Sequence, residues 1–161
     1  MGAPVAVNLT TPVTVGSLPC SIDLTDQILS VGSCFSEHTA VRLQERHFRI
    51  QANPVGIVYH PMVILNVLTR LGEQRRFREE DLSERDGVWF SYSHHGSFSS
   101  SSKADLLSRI NEAYLPAAEL LSTCDSLLLT FGTAYGWFLK NAPDQIVANC
   151  HRMPHGHFVR Q

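Results

Sequence analysis

The sequence lacks a strong excess of charge of either sign. Its 13 lysine and arginine residues stand against 15 aspartate and glutamate residues, which leaves a formal net charge of −2. Proteins that bind the phosphate backbone of nucleic acids or an anionic membrane surface normally carry a basic field. The composition therefore argues against nucleic acid and membrane surfaces as partners.

Long apolar runs and closely spaced cysteines are missing as well. The longest apolar stretches, around residues 63–68 and 127–131, fall far short of the roughly 20 residues that cross a bilayer. The first residues, beginning Met1-Gly2-Ala3-Pro4, show neither the charged nor the apolar region of a secretory signal. The four cysteines form no CxxC pair, which is typical of reduced thiols rather than a disulfide framework. We therefore expect a cytoplasmic protein.

The length of 161 residues and the hydrophobic fraction of 43% predict one domain with one substantial core. Residues 1–26 mix proline, glycine and threonine with short apolar pieces. They form an irregular lead-in with at most one edge strand, at Val13-Thr14-Val15. Residues 27–161 form the domain itself.

Local patterns in the first half of this domain alternate between strand and helix. Residues 28–31 are a short apolar run that stops at Gly32, and a helix-compatible stretch follows to about Arg46. Pro61 opens a second helix that ends near Gly72. The charged stretch between residues 73 and 85 is expected to be a solvated segment.

The second half continues the alternation. The spacing of apolar residues over 103–122 predicts a helix that Pro116 kinks or divides. Residues 126–131 are a continuous apolar run, which predicts a parallel strand buried on both faces. Residues 135–140 and 146–149 flank a turn and can pair as a hairpin, whereas residues 151–161 show no helix or strand pattern.

The turn Gly32-Ser33-Cys34-Phe35 is the strongest candidate for chemistry. A turn from strand to helix places a side chain at the carboxyl edge of a sheet, beside unpaired N–H groups that stabilise negative charge. The structural alternative is that Gly32 makes the turn, Ser33 caps the helix and Cys34 is a small buried residue. The tetrapeptide alone does not distinguish the two.

Five segments in order resemble the GSCFA family, which is named for its N-terminal motif and is placed by similarity among the SGNH (GDSL-like) hydrolases. The segments are Ser30-Val31-Gly32-Ser33-Cys34-Phe35, Asn53-Pro54-Val55-Gly56-Ile57-Val58-Tyr59-His60-Pro61, Trp89 to Phe98, Leu129-Thr130-Phe131-Gly132-Thr133-Ala134, and Val147-Ala148-Asn149-Cys150-His151-Arg152-Met153-Pro154. The resemblance implies an α/β, flavodoxin-like three-layer fold of the SGNH-hydrolase type with a mainly parallel sheet.

The resemblance also implies roles for residues of the first two segments. Cys34 stands where SGNH hydrolases have the nucleophilic serine, and Ser33 stands where they have aspartate. Ser33 is the alternative nucleophile, because a shift of one residue in the turn would exchange the two roles. Gly56 matches the glycine whose backbone N–H lines an oxyanion hole.

In the later segments, Gly132 matches the glycine of the third SGNH block. Ala134 lacks the side-chain donor that asparagine supplies in that block, and Thr133 or Asn53 can substitute for it. His151 is implied as a residue that lines the substrate cleft. The alternative is a hydrogen-bonded histidine in a turn before Pro154.

SGNH enzymes carry an Asp-x-x-His motif near the C-terminus, and this sequence offers none after the third block. We therefore expect a domain truncated at its C-terminus, with negligible esterase activity by itself. The implied function is an acyl-ester hydrolase or acyltransferase that acts on a small-molecule acyl or carbohydrate ester. The alternative is a non-catalytic carbohydrate- or protein-binding module that retains the fold. No cofactor is expected. A metal is not expected either, because the run that contains Cys150, His151, His155 and His157 lacks a familiar zinc spacing.

Overall fold

The computed structural model describes residues 11–14, 16 and 20–161. Helices and strands alternate through the described chain, and two short 3₁₀ helices lie at Glu79–Asp81 and His155–His157. In chain order the helices and strands are β1 (Gln27–Gly32), α1 (Cys34–Gln44), β2 (Arg49–Ala52), α2 (Pro61–Gly72), β3 (Ser83–Arg85), β4 (Val88–Phe90), β5 (Ser99–Ser100), α3 (Lys103–Leu121), β6 (Ser126–Thr130), β7 (Trp137–Leu139), β8 (Ala142–Val147) and β9 (Phe158–Arg160).

A parallel sheet with the strand order β2-β1-β6 forms the centre of the molecule. Ile28 of the middle strand lies opposite Ile50 on one side and Ser126 on the other. Successive residues of β1 point to opposite faces, so Ile28 packs with Ala40 of α1 while Leu29 packs in the core that includes α2 and α3. Helices therefore cover both faces of the sheet, and the predicted mixed α/β class with a parallel sheet is confirmed.

The helices begin and end largely where local sequence signals place them. Ser33 caps the N-terminus of α1, and His60 caps α2 one residue before Pro61. α2 ends at Gly72, as predicted. α3 runs as one helix through Pro116, so the second helix considered for this stretch does not form.

Two antiparallel sheets pack against α2 and α3: β4 and β5 contact α3, and β8 contacts α2. β3, β4 and β5 form the first, and Asp86 and Gly87 make its hairpin turn with φ angles of 53° and 79°. β8, β7 and β9 form the second, which confirms the predicted hairpin between β7 and β8. β9 pairs with β7, with Trp137 opposite Arg160. The expectation that residues 151–161 hold no regular element is therefore wrong.

Two further expectations differ from the structure. β6 is an edge strand, and Leu127 and Leu129 are 40% and 38% exposed, so the apolar run is not buried on both faces. In the charged stretch, Phe77 and Leu82 are buried and part of the main core. Asp81 forms a 2.7 Å ion pair with Arg70. That stretch is therefore packed against the domain rather than solvated throughout.

The lead-in falls mostly outside the described residues. Val13 and Thr14 are described and lie in no strand, whereas Val15 and residues 1–10 and 17–19 are outside the described set. Thr25 and Asp26 lead directly into β1, where Gln27 N–H donates to Asp125 Oδ2 at 2.8 Å.

Candidate functional site

The turn between β1 and α1 is built around Gly32. This residue has φ +152°, and a Cβ atom there would run into the backbone carbonyl of Thr130 on the neighbouring strand. Only glycine fits such a close approach of two backbones. The following residue, Ser33, caps α1 by accepting a hydrogen bond from Phe35 N–H at 3.3 Å.

Thr130, the last residue of β6, ties this turn to the sheet. Its Oγ1 accepts Ser33 N–H at 2.9 Å and lies 3.0 Å from Ser33 Oγ and 2.8 Å from Ser36 Oγ. A hydroxyl group has one proton and two lone pairs, so one threonine can serve all three neighbours. Ser33 is 7% exposed, and its hydroxyl group is fully engaged in holding the turn.

Cys34 differs from Ser33 both in exposure to solvent and in hydrogen bonding. It is the first residue of α1 and a free, solvent-exposed cysteine. Among the described residues, no hydrogen-bond partner reaches either its thiol or its backbone N–H. The geometry thus separates the two candidate nucleophiles: Ser33 is a buried cap, and Cys34 presents an accessible sulfur at a helix N-terminus.

The loop after β2 brings Asn53 and Gly56 to the same edge. Asn53 has φ 46° and accepts Gly32 N–H on Oδ1 at 2.8 Å, while its own backbone N–H donates to Ser30 O. Its Nδ2 donates to Glu37 Oε1 at 3.5 Å. Gly56 N–H donates to Asn53 O at 2.8 Å, so it must leave that bond before it can hold an oxyanion.

The loop after β6 forms the other wall. Gly132 N–H donates to Tyr59 O at 2.9 Å, and a Cβ on Gly132 would come within 2.5 Å of the Tyr59 ring. The Thr133 hydroxyl closes a local turn by accepting Tyr135 N–H at 3.0 Å. His60 accepts Met62 N–H on Nδ1, so its Nε2 carries the proton and donates to Ala134 O at 3.3 Å. His60 therefore links the two loops.

A cavity of about 450 Å³ adjoins these two loops. Its walls include Tyr59, His60, Thr133 and Trp137, and it also exposes Cys150. Burial raises the pKa of the Cys150 thiol, which favours the neutral thiol there. Cys150 is therefore a poorer nucleophile than a cysteine at an open helix N-terminus.

His151 lies apart from the turn. Its Nε2 lies 2.9 Å from Ser91 O and 3.1 Å from His94 O, and its ring stacks on Phe90 at 4.5 Å between centroids. Burial lowers its pKa. It also lines a second cavity, of about 780 Å³, with Asn149. His151 is therefore hydrogen-bonded in a turn and borders a cavity other than the one beside the loop after β6, and its role in a substrate cleft stays a prediction.

In a comparison with known protein families, the model of the GSCFA family matches residues 27–161 of the chain. The chain belongs to the GSCFA family. No curated protein and no solved structure matches it.

Within this GSCFA domain, the structure brings six of the seven predicted site residues to the carboxyl edge of the parallel sheet. They are Ser33, Cys34, Asn53, Gly56, Gly132 and Thr133. The seventh, His151, is held by the segment that follows β4. Residue patterns did not single out Thr130, the last residue of the edge strand β6.

His95 is a second residue of the GSCFA site that residue patterns did not single out. Its backbone N–H donates to Val55 O at 2.9 Å, and its Cβ lies where a side chain on Gly56 would be, 2.5 Å from the ideal position. Its Nδ1 accepts Ser97 N–H at 3.2 Å. His94, in contrast, is completely buried.

Over the described residues, no group of three or more histidine, cysteine, aspartate or glutamate side chains is placed to hold a metal ion. None of the helices in the described part combines the length and the apolar character that crossing a bilayer requires.

Proposed function

We propose that this GSCFA domain is an acyl-ester hydrolase or acyltransferase of the SGNH type, with Cys34 as its nucleophile. The observation that carries the proposal is the contrast at the turn. Cys34 presents an exposed thiol at the first position of α1, whereas the neighbouring Ser33 hydroxyl is bound to Thr130. Helix N-termini stabilise thiolates and developing oxyanions.

The sheet supports the finer fold assignment. A parallel sheet with the order β2-β1-β6 and helices on both faces is the arrangement with which a flavodoxin-like, doubly wound fold begins. In such folds, ligands bind beyond the carboxyl ends of the strands. Cys34 and the loops that contain Gly56 and Gly132 lie at that edge.

The proposed reaction has two stages. The Cys34 thiol loses its proton to solvent water, and the thiolate attacks the ester carbonyl carbon, so that a C–S bond forms as the carbonyl oxygen becomes an oxyanion. Collapse of this intermediate breaks the ester C–O bond, and the leaving alkoxide takes up a proton from solvent water. Water then cleaves the thioester, which releases the acid and restores the thiol, or an acceptor hydroxyl takes the acyl group instead.

The donors for the oxyanion are Cys34 N–H and the Asn53 amide. Cys34 N–H has no partner among the described residues, and Asn53 Nδ2 is engaged only by the long 3.5 Å contact to Glu37. No histidine of the described chain hydrogen-bonds to Cys34 or Ser33. Because deacylation needs a base, we expect the acyl-enzyme to accumulate.

Differential alkylation tests the nucleophile. The chain is treated with substoichiometric iodoacetamide, and the modified peptides are mapped. We expect Cys34 to react faster than Cys20, which is also exposed and serves as the control, and faster than half-buried Cys124. If Cys34 reacts no faster than Cys20, the thiol is not activated and the proposal is wrong.

Acylation with p-nitrophenyl acetate tests the reaction itself. We expect release of one equivalent of p-nitrophenol and one acetyl group on Cys34, followed by turnover near the background rate. Cys34→Ala should abolish this burst, whereas Ser33→Ala should retain it in the fraction that folds. A burst that survives in Cys34→Ala and is lost in Ser33→Ala would assign the role to Ser33 instead.

A non-catalytic carbohydrate-binding module is the second candidate. It is favoured by the aromatic walls of the 450 Å³ cavity, which include Tyr59, Tyr135 and Trp137, because sugars stack on such rings. Ala134 also lacks a side-chain donor. Quenching of Trp fluorescence by a neutral oligosaccharide such as maltotriose, lost in Trp137→Ala, together with no burst, would favour this candidate.

A further inference from the structure

The cavity of about 780 Å³ that His151 borders has two arginines in its walls. Arg85 is the last residue of β3, and Arg152 belongs to the segment between β8 and β9. None of the residues that line the cavity comes from the Cys34 turn or from the loops after β2 and β6. The cavity is therefore a separate place from the proposed nucleophile.

Arg85 is held in a way that leaves part of its guanidinium group free. Its Nε donates to Asp86 Oδ2 at 3.1 Å, and its Nη1 donates to the Arg152 carbonyl at 2.6 Å and lies 3.8 Å from Met153 Sδ. Its Nη2 has no hydrogen-bond partner among the described residues. Because these contacts already fix the orientation of the guanidinium group, a ligand that binds Nη2 costs it little further freedom.

Arg152 is exposed, and its guanidinium group pairs with no carboxylate of the described residues. Arg152 and the preceding His151 both have left-handed backbone conformations, with φ angles of 57° and 46°. Residues other than glycine rarely adopt this conformation, and such strain is concentrated at binding and active sites. The strained pair lies in the wall of this cavity.

Asn149 adds a neutral donor to the same wall. Its Oδ1 accepts His151 N–H at 2.8 Å, while its Nδ2 has no partner among the described residues. Asp86 is the only carboxylate among the described residues that line the cavity, and its side chain is 83% exposed and paired with Arg85. Burial lowers the pKa of His151, so its imidazole carries no charge at neutral pH. The walls therefore combine a net positive charge with N–H donors.

A phosphate monoester matches this set of donors better than a carboxylate does. At neutral pH it carries a charge of about −1.5 to −2 on three acceptor oxygens, and the guanidinium fork of arginine matches phosphate oxygens. Val88 also lines the cavity and is 44% exposed. It offers apolar surface to the organic part of such a ligand.

We propose that this cavity binds the phosphate group of a small phosphate monoester, with Arg85, Arg152 and Asn149 as its hydrogen-bond donors. The site does not depend on the acyl-transfer reaction proposed for Cys34.

Phenyl phosphate and dimethyl phenyl phosphate form a matched pair of probes, since methylation removes the charge and keeps the ring and the phosphorus centre. Binding to the full chain is measured by titration with NMR detection. We expect phenyl phosphate to bind about tenfold more tightly than the neutral triester, which corresponds to one charge-assisted hydrogen bond. Its affinity should decrease as salt is added. Benzoate, which has a single charge, should bind more weakly than phenyl phosphate.

Two arginine variants locate the site. Arg152→Gln should weaken the binding of phenyl phosphate about tenfold. Arg160→Gln is the matched control, because it makes the same change of charge at an exposed arginine of β9 that does not line this cavity, and it should have little effect. Arg152 is exposed, so its replacement should not prevent folding. Asp86→Asn should tighten binding, because it removes the carboxylate that competes with the ligand for Arg85.

Three results would each overturn the proposal. The first is that phenyl phosphate binds no more tightly than dimethyl phenyl phosphate, and the second is that benzoate binds as tightly as phenyl phosphate. The third is that Arg152→Gln and Arg160→Gln weaken binding equally, which would indicate a general attraction of the anion to positive charge rather than a site in this cavity.

Discussion

Thr130 holds Ser33 through three contacts: its Oγ1 accepts Ser33 N–H at 2.9 Å and lies 3.0 Å from Ser33 Oγ, and its backbone carbonyl accepts the same N–H at 3.1 Å. The edge strand β6 thereby fixes the N-terminus of α1, on which Cys34 is the first residue. The position of the exposed thiol thus depends on a hydroxyl group that is distant in sequence.

Thr130→Val removes this hydroxyl group while keeping the shape of the side chain. We expect the free energy of unfolding to fall by about 1–3 kcal/mol, because the Ser33 and Ser36 hydroxyl groups lose a partner, while Ser33 N–H keeps the Thr130 carbonyl. Alkylation of Cys34 should slow, with Cys20 unaffected. Thr133→Val, which removes a hydroxyl group that among the described residues bonds only within its own loop, is the control. Urea denaturation and peptide mapping measure both effects, and a Thr130→Val chain as stable as Thr133→Val would contradict this role.

Gly32→Ala should be among the most disruptive small substitutions in the domain. The added methyl group would overlap the Thr130 carbonyl, and the φ of +152° strains any other residue. We expect a loss of about 3 kcal/mol or more, measured by thermal or urea denaturation. Gly72→Ala is the matched control, since nothing lies within 4 Å of a Cβ there, and it should cause no loss. Equal stability of the two variants would show that the turn can relax.

His94 should make the domain sensitive to acid. Its ring is completely buried without a hydrogen-bond partner on either nitrogen among the described residues, and burial lowers its pKa to about 3. The unfolded chain takes up a proton near pH 6.5 and the folded chain only near pH 3, so stability falls as pH decreases through that window. The loss amounts to at most about 1.4 kcal/mol per pH unit.

His94→Leu should remove part of this dependence and raise stability at pH 5 relative to the wild type, because a buried unpaired imidazole is replaced by an apolar group. His151, whose pKa burial also lowers, should leave a residual slope. Exposed His38→Gln is the control and should keep the wild-type pH profile. Denaturation curves measured between about pH 4 and pH 8, which bracket the ordinary pKa of histidine, distinguish the variants. If stability falls with decreasing pH equally in His94→Leu and in the wild type, His94 is not the cause of the acid sensitivity.

Asp81→Asn should weaken the packing of the segment between α2 and β3. Asp81 pairs with Arg70 at 2.7 Å, and the two side chains are only 19% and 16% exposed. Arg70 also stacks on Phe77, 3.7 Å from the ring centroid. We expect a loss of about 1–3 kcal/mol.

Asp86→Asn is the matched control for that prediction. Asp86 also forms an ion pair, with Arg85, but its side chain is 83% exposed. Surface pairs of this kind contribute little. If the two variants lose the same stability in urea denaturation, the buried position of the Arg70 pair has no special effect.

Sequence patterns predicted the elements whose signals are local. The strand that ends at Gly32, the helix from Pro61 to Gly72 and the hairpin of β7 and β8 all rest on turn residues or helix caps within a few positions. The position of the Gly32 turn at the carboxyl edge of the sheet follows from the same pattern of a strand followed by a helix, whereas the roles of Gly56 and Gly132 came only from the family resemblance.

Features that depend on distant partners were not predictable in this way. An apolar run such as that of β6 occurs both in edge strands and in strands with a neighbour on each side. The exposure of Leu127 and Leu129 is therefore set by the position of β6 in the sheet, which the run itself does not indicate. Phe77 is surrounded in sequence by arginines, yet α3 packs over it. His94 is buried by Phe77 and Phe98, neither of which is its immediate neighbour in the chain.

The long separation between β1 and β6 has a consequence for the order of folding. Ser33 and Thr130 are 97 residues apart, whereas β1, α1 and β2 lie within a short continuous segment. Closing the longer loop has the larger entropic cost, and such non-local pairings form slowly. The unit of β1, α1 and β2 can therefore assemble early, with the Cys34 turn still untethered. The thiol reaches its final position only when β6 docks, late in folding.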